Sequence, residues 1–319
     1  MKYSLMSLIV GSELKLSKPT LFQKNMLKGM GYTGPEPTLE EMYAFFDSKG
    51  MKMKNGTMSF RDLVKFAHDA GYDGLDMMFF HFEEDPYEAK KILEEYGIVF
   101  ASVGMISQFA QVEGEEGFQK EIAIVKDVID RAVIAGCKSI MMMPTTHFPR
   151  PGITREQVYQ TIVRALRIIT DYAWQKGICI HTETLESIAV PLCSIGEMKR
   201  IFDAVPGLLY THDSGNPLVA GEDPMELYET FRDKVAYVHF KDLQFTEKKA
   251  NMRDSMGRYL ERAVLGEGLL DFPAHLKALK RDGYQGYISL EGVRPGKDVL
   301  DSAAEAIKYF RNVEKELGI

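Results

Sequence analysis

Short apolar segments alternate with amphipathic segments along most of this chain, and that alternation constrains its fold more than any other feature. The amphipathic segments carry apolar residues at helical spacing, and several of them begin at a serine or proline and end at a glycine. The apolar segments are short enough to be strands. Eight strands are predicted, at residues 2–10, 74–80, 98–105, 138–144, 178–183, 208–213, 235–242 and 287–291.

Regular alternation of strands and helices predicts a parallel sheet with right-handed crossovers. Eight such units in 319 residues indicate a closed (β/α)8 TIM barrel that forms a single domain, residues 1–319. An open doubly wound sheet is the alternative, but it usually carries a glycine-rich phosphate loop after its first strand, and residues 11–14 are not such a loop. Two segments interrupt the repeat. We expect a lid at about residues 11–56 and a second insertion at about residues 243–262.

The composition is that of a globular protein with a large core. Hydrophobic residues make up 45% of the chain and charged residues 27%. The net charge of −7 makes nucleic acid an unfavourable partner. None of the three cysteines forms a CxxC pair, which favours free thiols in a reducing compartment.

The apolar run at residues 1–10 has two interpretations. A signal peptide is one, but the run has no small-residue cleavage site and is too short to span a bilayer. We interpret the run as the first strand. We therefore expect a cytoplasmic protein that has no membrane partner.

Four of the predicted strands end in a polar residue just before a loop: Glu183, Asp213, His239 and Glu291. The C-terminal ends of parallel barrel strands share one rim, so these side chains are expected to converge there. Three carboxylates and one imidazole form an unfavourable cluster unless a cation lies among them. Strand capping or pairing with lysine is the alternative for any one of these residues. For four strand ends, the pattern favours a divalent metal site with oxygen-rich ligands.

A metal site of this kind acidifies a C–H bond beside a sugar carbonyl, but a base must still remove the proton. The candidate bases are the ligand carboxylates Glu183 and Glu291, and His147, which follows the fourth strand. The alternative for His147 is a loop histidine that contacts solvent. His81, at the end of the second strand, is a further candidate for contact with the substrate.

Two more residues are predicted to bind substrate. Lys241 follows the inward-facing His239 at strand spacing and would orient a ligand oxygen, although a salt bridge to Asp242 or Glu267 is the alternative. Asn216 can hydrogen-bond a sugar hydroxyl but cannot act as a base. The arginines at positions 150, 253 and 258 are weaker candidates for the same role.

Several short motifs occur in order along the chain, at residues 71–76 (GYDGLD), 177–183, 213–216 (DSGN), 238–242 (VHFKD), 266–268 (GEG) and 283–291 (GYQGYISLE). Together they resemble the sugar phosphate isomerase/epimerase family of xylose isomerase-like TIM barrels, over about residues 58–319. The resemblance implies a small-molecule sugar or glycoside substrate. It also implies one divalent cation held by the four strand-end residues, typically Mn²⁺, with Mg²⁺, Co²⁺ and Zn²⁺ as alternatives.

The chain departs from the ketose 3-epimerases that it resembles. Residues 183–189 lack their Asn-Arg pair, and Asn216 stands where they have a histidine. A rim histidine and a large first insertion resemble instead a branch that cleaves C-glycosides after oxidation to the 3-keto sugar, with a smaller second subunit. Both hypotheses remain, a sugar isomerase/epimerase and a C-glycoside deglycosidase with His147 as base. The insertion's aromatics would cover a flat aglycone: Phe22, Tyr32, Tyr43, Phe45 and Phe46.

Two other classes of protein share the barrel or its sugar-binding surface. A DNA-repair endonuclease needs additional histidine and aspartate ligands and a basic groove, and both Asn216 and the net charge of −7 disfavour it. A sugar-binding protein without activity would not need the four metal-ligand residues. We expect an enzyme that forms an oligomer.

Overall fold

A computed structural model describes residues 1–145, 151–292 and 294–319, and eight parallel strands close into a barrel within them. The barrel order is β1-β11-β7-β6-β5-β4-β3-β2. This confirms the predicted closed (β/α)8 barrel. The barrel strands are β1 (Lys2–Met6), β2 (Gly74–Met78), β3 (Val99–Ile106), β4 (Ser139–Met143), β5 (Cys179–Thr182), β6 (Leu209–Asp213), β7 (Val235–Phe240) and β11 (Tyr287–Leu290). The second insertion supplies β8 (Leu243–Thr246), β9 (Met252–Arg253) and β10 (Tyr259–Arg262).

Helices alternate with the barrel strands. They are α1 (Leu21–Gly29), α2 (Leu39–Ser48), α3 (Phe60–Ala70), α4 (Pro86–Tyr96), α5 (Gly114–Ile134), α6 (Arg155–Trp174), α7 (Ile195–Ala204), α8 (Pro217–Ala220), α9 (Pro224–Phe231), α10 (Phe272–Arg281) and α11 (Val299–Leu317), with a 3-10 turn at Arg232–Lys234. As predicted, α3 begins at Ser59, which forms a reciprocal capping box with Asp62, and ends at Gly71 in a left-handed conformation (φ 92°). Among the described residues, no helix is both long and apolar enough to cross a lipid bilayer.

The first strand is shorter than predicted. It pairs with β11 and β2 and ends at Met6 rather than at residue 10. The chain turns at Ser7, whose hydroxyl accepts a hydrogen bond from the Met78 amide (2.8 Å) while its own amide donates to the Asp76 carbonyl (2.8 Å). These two bonds take the place of further strand pairing.

The first insertion (residues 11–56) contains two helices, α1 and α2. Each helix begins with a capping box, Thr20 with Gln23 and Thr38 with Glu41. The helices pack on each other through a small core of their own, formed by Leu27, Met42 and Phe46. A bridge between Leu14 and Met58 joins the two ends of the insertion to each other beside the barrel.

The second insertion (residues 243–262) is a three-stranded antiparallel sheet in the order β8-β10-β9. Its return to the barrel is held by the buried carboxylate of Asp242, which accepts hydrogen bonds from the amides of Gly266 (2.9 Å), Gly268 (3.0 Å) and Leu270 (3.2 Å). The end of β10 is thereby fixed close to the barrel rim.

Strand alternation decides which side chains face the barrel interior. On β7, Phe240 points outward and packs on Phe272 and Phe310, with ring centroids 4.8 and 5.2 Å away. The neighbouring side chains, His239 and Lys241, therefore point inward at the C-terminal end of the barrel. The aromatic packing behind β7 thus sets the direction of the polar groups in front of it.

Candidate active site

The structure brings the four strand-end residues together at the C-terminal rim. Ligand atoms of Glu183, Asp213 and His239 all lie within 4.8 Å of one another, and all three side chains are buried. The fourth residue, Glu291, places Oε1 2.9 Å from His239 Nδ1. The convergence predicted from the ends of β5, β6, β7 and β11 is therefore present.

The imidazole of His239 lies between acids on both sides. Its Nδ1 is 3.0 Å from Glu183 Oε2 and its Nε2 is 3.3 Å from Asp76 Oδ2. Burial alone would lower the pKa of His239, but Glu183, Asp76 and Glu291 raise it well above its ordinary value. Burial raises the pKa of Glu183 to about 7, because a charged carboxylate is poorly solvated there, although His239 opposes that shift.

Several inward-facing atoms lack a hydrogen-bond partner among the described residues. They include Glu183 Oε2, Asp213 Oδ2 and both ring nitrogens of His239, whose acid contacts have ion-pair distances without hydrogen-bond geometry. The other oxygen of Asp213 is occupied, since Oδ1 accepts from the amides of Gly215 (2.8 Å) and Asn216 (2.7 Å). Buried donor atoms aimed at a common point fit a divalent cation with oxygen and imidazole ligands.

The ammonium group of Lys241 lies inside this acidic cluster. It is 2.7 Å from Glu186 Oε1, 3.2 Å from Glu291 Oε2 and 3.3 Å from Asp213 Oδ2, and it donates to Asn216 Oδ1 (2.9 Å). Burial would lower the pKa of Lys241, but the surrounding carboxylates raise it above its ordinary value. Lys241 and Asn216 thus both lie at the site.

The alternative partners considered for Lys241 were wrong. Asp242 is occupied by backbone amides, and Glu267 pairs with Arg294 (2.6 Å) on the protein surface. The insertion arginines at positions 253 and 258 are likewise held within their own sheet, by the Gly257 carbonyl (2.9 Å) and the Asp254 carboxylate (2.7 Å) respectively. Neither arginine reaches the acidic cluster.

Three charged residues at the site were not identified from sequence. Arg262, the last residue of β10, lies 3.2 Å from Glu291 Oε2 and 3.2 Å from Glu186 Oε1. Glu186 follows Glu183 by three residues, in the loop after β5. This closeness in sequence to Glu183 could have identified Glu186 as a residue of the site. Asp76 ends the GYDGLD motif, but nothing in that motif indicates that it faces His239 inside the barrel.

A layer of polar side chains lies beneath the rim, as strand alternation predicts. The ring of His181 stacks on Tyr237 (centroids 5.2 Å apart, planes 17° apart) and contacts Thr211. The Tyr237 hydroxyl lies 2.7 Å from Ser4 Oγ on β1. Burial lowers the pKa of His181 well below its ordinary value, so this layer is a neutral support beneath the acidic rim.

The remaining histidines have different positions. His81 lines the cavity above the rim, with Nδ1 3.0 Å from Ser7 Oγ, and burial lowers its pKa to about 4. His147 and Arg150 lie outside the described residues. His212 and His275 pair with each other (3.0 Å) on the outer face of the barrel.

A cavity of about 550 Å³ opens above the rim. Its floor is polar and charged, formed by Glu183, Glu186, Asn216, Lys241, Arg262 and Glu291. Its wall includes apolar and aromatic side chains that come in part from the first insertion, among them Leu8, Leu16, Met26, Tyr43, Met53 and Phe80. The cavity therefore joins a site for hydroxyl and carbonyl oxygens to a surface for an apolar group.

Only part of the aromatic lid prediction matches this cavity. Tyr43 lines it, whereas Tyr32 and Phe45 pack edge to face (5.3 Å) and Phe46 is buried in the insertion's own core. Those three rings stabilise the insertion and do not cover the site. The side chain of Phe22 lies outside the described residues.

A closed eight-stranded barrel with acidic and imidazole groups at its strand ends defines a TIM-barrel enzyme. Residues 64–313 match the sequence profile of the xylose isomerase-like TIM barrel, so the chain belongs to that family.

Comparison with individual proteins gives more distant likenesses. The chain is 29% identical over 106 residues to an inosose dehydratase of Lacticaseibacillus casei, a match that covers 31% of this chain and about a third (35%) of the relative's length. The 3-keto-D-glucoside 4-epimerase YcjR of E. coli superposes with a TM-score of 0.64 at 17% identity, covering 79% of this chain and 94% of that one. The IolI protein, solved with a bound zinc atom, superposes with a TM-score of 0.63 at 19% identity, covering 80% and 91%. At these identities the two structures show a shared fold.

Proposed function

We propose that this protein is a divalent-metal-dependent enzyme that removes a proton next to a sugar carbonyl. The observation that carries the proposal is the convergence of Glu183 Oε2, Asp213 Oδ2 and His239 Nδ1, which are buried and without hydrogen-bond partners among the described residues. Of these residues, Glu183 also lines the cavity. The bound zinc atom in the IolI structure supports a metal in this fold. The proposed ion is Mn²⁺, with Mg²⁺, Co²⁺ and Zn²⁺ as alternatives.

The charges at the rim favour a cation. Five carboxyl groups lie in or directly against the cluster: Asp76, Glu183, Glu186, Asp213 and Glu291. The permanent positive charges beside them are those of Lys241 and Arg262. A divalent ion would offset most of the remaining negative charge, whereas without one the buried carboxylates repel one another.

A divalent cation held by Glu183, Asp213, His239 and Glu291 would polarise a sugar carbonyl and stabilise the enediolate formed on deprotonation. The chain's own groups would orient the substrate around it. Lys241 can donate to a hydroxyl or carbonyl oxygen, and Asn216 is held beside it. The Asn216 side-chain nitrogen donates one hydrogen bond to the Thr184 carbonyl (2.7 Å), and its oxygen accepts one from Lys241 (2.9 Å), which leaves one N–H and one lone pair for a sugar hydroxyl.

The base that receives the proton is proposed to be a carboxylate, Glu183 or Glu291, because both line the cavity. His147 is the alternative base. Proton removal beside a carbonyl is the common step of isomerisation, epimerisation and dehydration. The relatives named inosose dehydratase and inosose isomerase accord with that step.

The alternative function is that of a C-glycoside deglycosidase, a lyase that cleaves 3-oxo-C-glycosides by elimination. The observation that favours it is the apolar wall formed by Met26, Tyr43 and Met53, which a free sugar covered with hydroxyl groups does not need. An aromatic aglycone would pack on that wall while its 3-keto sugar lies on the charged floor. The 3-keto-D-glucoside named for YcjR is a sugar of the same oxidation state. On this proposal the cytoplasmic barrel works as an oligomer with a smaller second subunit.

The test compares free ketoses and inososes with 3-keto-C-glycosides, using protein loaded with Mn²⁺ in deuterated water. Deuterium at the carbon next to the carbonyl reports proton removal, and the products distinguish isomerisation, loss of water and release of an aglycone. Glu291→Gln is the inactive control, since it keeps the side-chain shape and removes the charge. Absence of both exchange and product with every carbonyl substrate would refute the proposed step.

A further inference from the structure

Asp76 lies directly behind the imidazole of His239, on the far side from the cavity. Its Oδ2 is 3.3 Å from His239 Nε2, and both side chains are fully buried. Asp76 is on β2 and His239 is on β7, and β1 and β11 separate these strands in the barrel. The contact therefore crosses the barrel interior and is not a product of strand pairing.

The two ring nitrogens of His239 face different partners. Nδ1 faces the rim, where Glu183 and Glu291 lie 3.0 and 2.9 Å away, and Nε2 faces Asp76. A neutral imidazole carries its proton on one nitrogen and a lone pair on the other. Glu183 and Glu291 would favour a proton on Nδ1 as long as no cation lies between them. With a cation there, the carboxylate behind Nε2 would keep the ring proton on Nε2 and leave the lone pair of Nδ1 directed at the rim.

Neither carboxylate oxygen of Asp76 has a hydrogen-bond partner elsewhere among the described residues. A buried carboxylate without partners is costly, whereas a carboxylate that orients a metal-ligating histidine is a common arrangement. Among the described residues, the ion-pair partner of the Asp76 carboxylate is His239, and the Asp76 backbone carbonyl accepts a hydrogen bond from the Ser7 amide (2.8 Å).

We propose that Asp76 is a positioning residue that holds His239 with Nε2 protonated and Nδ1 available as the ligand of the divalent cation. This inference rests on the metal site of the proposed function. It adds a residue outside the four ligands and assigns which nitrogen of His239 binds the ion. Asp76 does not touch the cation or the substrate and acts through His239 alone.

The experiment measures Mn²⁺ affinity by calorimetry on the chelator-treated full chain, for the wild type, Asp76→Ala and Asp76→Asn. Loss of the partner of a metal-ligating histidine typically lowers affinity about 10- to 100-fold, and that is the loss expected for Asp76→Ala. Asp76→Asn keeps the shape and one acceptor oxygen, so a smaller loss is expected. It also provides a folded variant if Asp76→Ala does not fold.

Glu121→Gln is the matched control. Glu121 is also a buried carboxylate, but it lies on α5, accepts a hydrogen bond from the Gln108 amide (2.7 Å) and is not one of the three carboxylates that contact His239. Its substitution removes a buried charge without altering His239, so Mn²⁺ affinity should stay unchanged. A general effect of removing buried charge would instead lower affinity in both variants.

A second measurement reports which nitrogen of His239 is protonated. A merely structural role of Asp76 would not change that property. Nitrogen NMR of the ¹⁵N-histidine-labelled protein, loaded with diamagnetic Zn²⁺, should show His239 bound through Nδ1 and protonated at Nε2. In the Asp76 variants that signature should weaken or disappear. Unchanged affinity and an unchanged tautomer in both Asp76 variants would overturn the inference, as would binding through Nε2. A wild-type chain that binds no divalent ion would instead overturn the proposed metal site itself, and this inference with it.

Discussion

The guanidinium group of Arg262, at the end of β10, lies 3.2 Å from the carboxylate of Glu291, at the end of β11. A second contact of 3.2 Å joins the same guanidinium to Glu186. The second insertion therefore contributes a positive charge directly to the floor of the cavity. Asp242 fixes this geometry, because its carboxylate holds the chain that follows β10.

Arg262→Ala is expected to lower kcat/KM about 10- to 100-fold, since a hydrogen bond between charged groups is worth about 1.5–3 kcal/mol. The loss should come from substrate orientation and from the uncompensated Glu186 and Glu291 carboxylates. Steady-state kinetics on whichever carbonyl substrate is turned over measures it. Arg253→Ala is the control, because Arg253 belongs to the same small sheet but its guanidinium donates to the Gly257 carbonyl and packs on Tyr259. Equal losses in the two variants would exclude a specific role for Arg262.

Substitutions of Tyr43 and Tyr32 distinguish the two proposed substrate classes, free sugars and aromatic glycosides. Both belong to the first insertion, but only Tyr43 is among the side chains that line the cavity, whereas Tyr32 packs on Phe45. If an aromatic aglycone packs on the wall, Tyr43→Ala should raise KM for the glycoside about 10-fold, because a lost aromatic contact costs roughly 1 kcal/mol or more. Tyr32→Ala should leave the ratio of KM values for glycoside and free sugar unchanged. A Tyr43→Ala variant with unaltered glycoside kinetics would argue against the apolar wall as a binding surface.

The buried pair of His212 and His275 should make stability depend on acidity. Burial lowers the pKa of His275 to about 4, below the value of about 6.5 in an unfolded chain. The folded state therefore binds fewer protons than the unfolded state between these values. The stabilisation from neutral His275 is fully present above about pH 6.5 and is lost as the pH falls towards 4.

His275→Asn removes that titration. Over this window the wild type should lose up to about 1.4 kcal/mol of unfolding free energy per pH unit more than the variant, roughly 3 kcal/mol in all. Urea unfolding at several pH values between 7 and 4 measures both slopes. His68→Asn is the control, because His68 is exposed on α3 and its substitution removes no buried imidazole. If the unfolding free energy of wild type and of His275→Asn changed equally with pH, the pH dependence could not be assigned to His275.

The barrel and its strand-end residues could be predicted because both follow from local patterns. Apolar runs and helix caps identify the βα units, and the rule that parallel strands end at one rim brings Glu183, Asp213, His239 and Glu291 together. Arg262 and Asp76 could not be found in this way. The position of Arg262 depends on how far an insertion folds back, and the Asp76–His239 contact depends on the width of the barrel interior.

The first insertion shows a different limit. Its helix α1 had a usable signal, the capping box of Thr20 and Gln23, but a polar, methionine-rich segment hides the helical periodicity. The inner core of Leu27, Met42 and Phe46 takes up aromatic and apolar side chains that sequence alone would assign to substrate binding. Only the folded insertion separates Tyr43, at the cavity, from Tyr32 and Phe45.

The most direct test of the account is the stoichiometry and affinity of divalent-ion binding, measured by calorimetry and elemental analysis on wild type and Asp213→Asn. Asp213 is the suitable residue because its Oδ1 already accepts two amide bonds and only Oδ2 faces the cluster. The account predicts one divalent ion per wild-type chain and an affinity at least about 100-fold weaker in Asp213→Asn, a loss no smaller than that caused by removing a ligand's partner. Wild-type protein that binds no divalent ion, or Asp213→Asn that binds it as tightly as wild type, would contradict it.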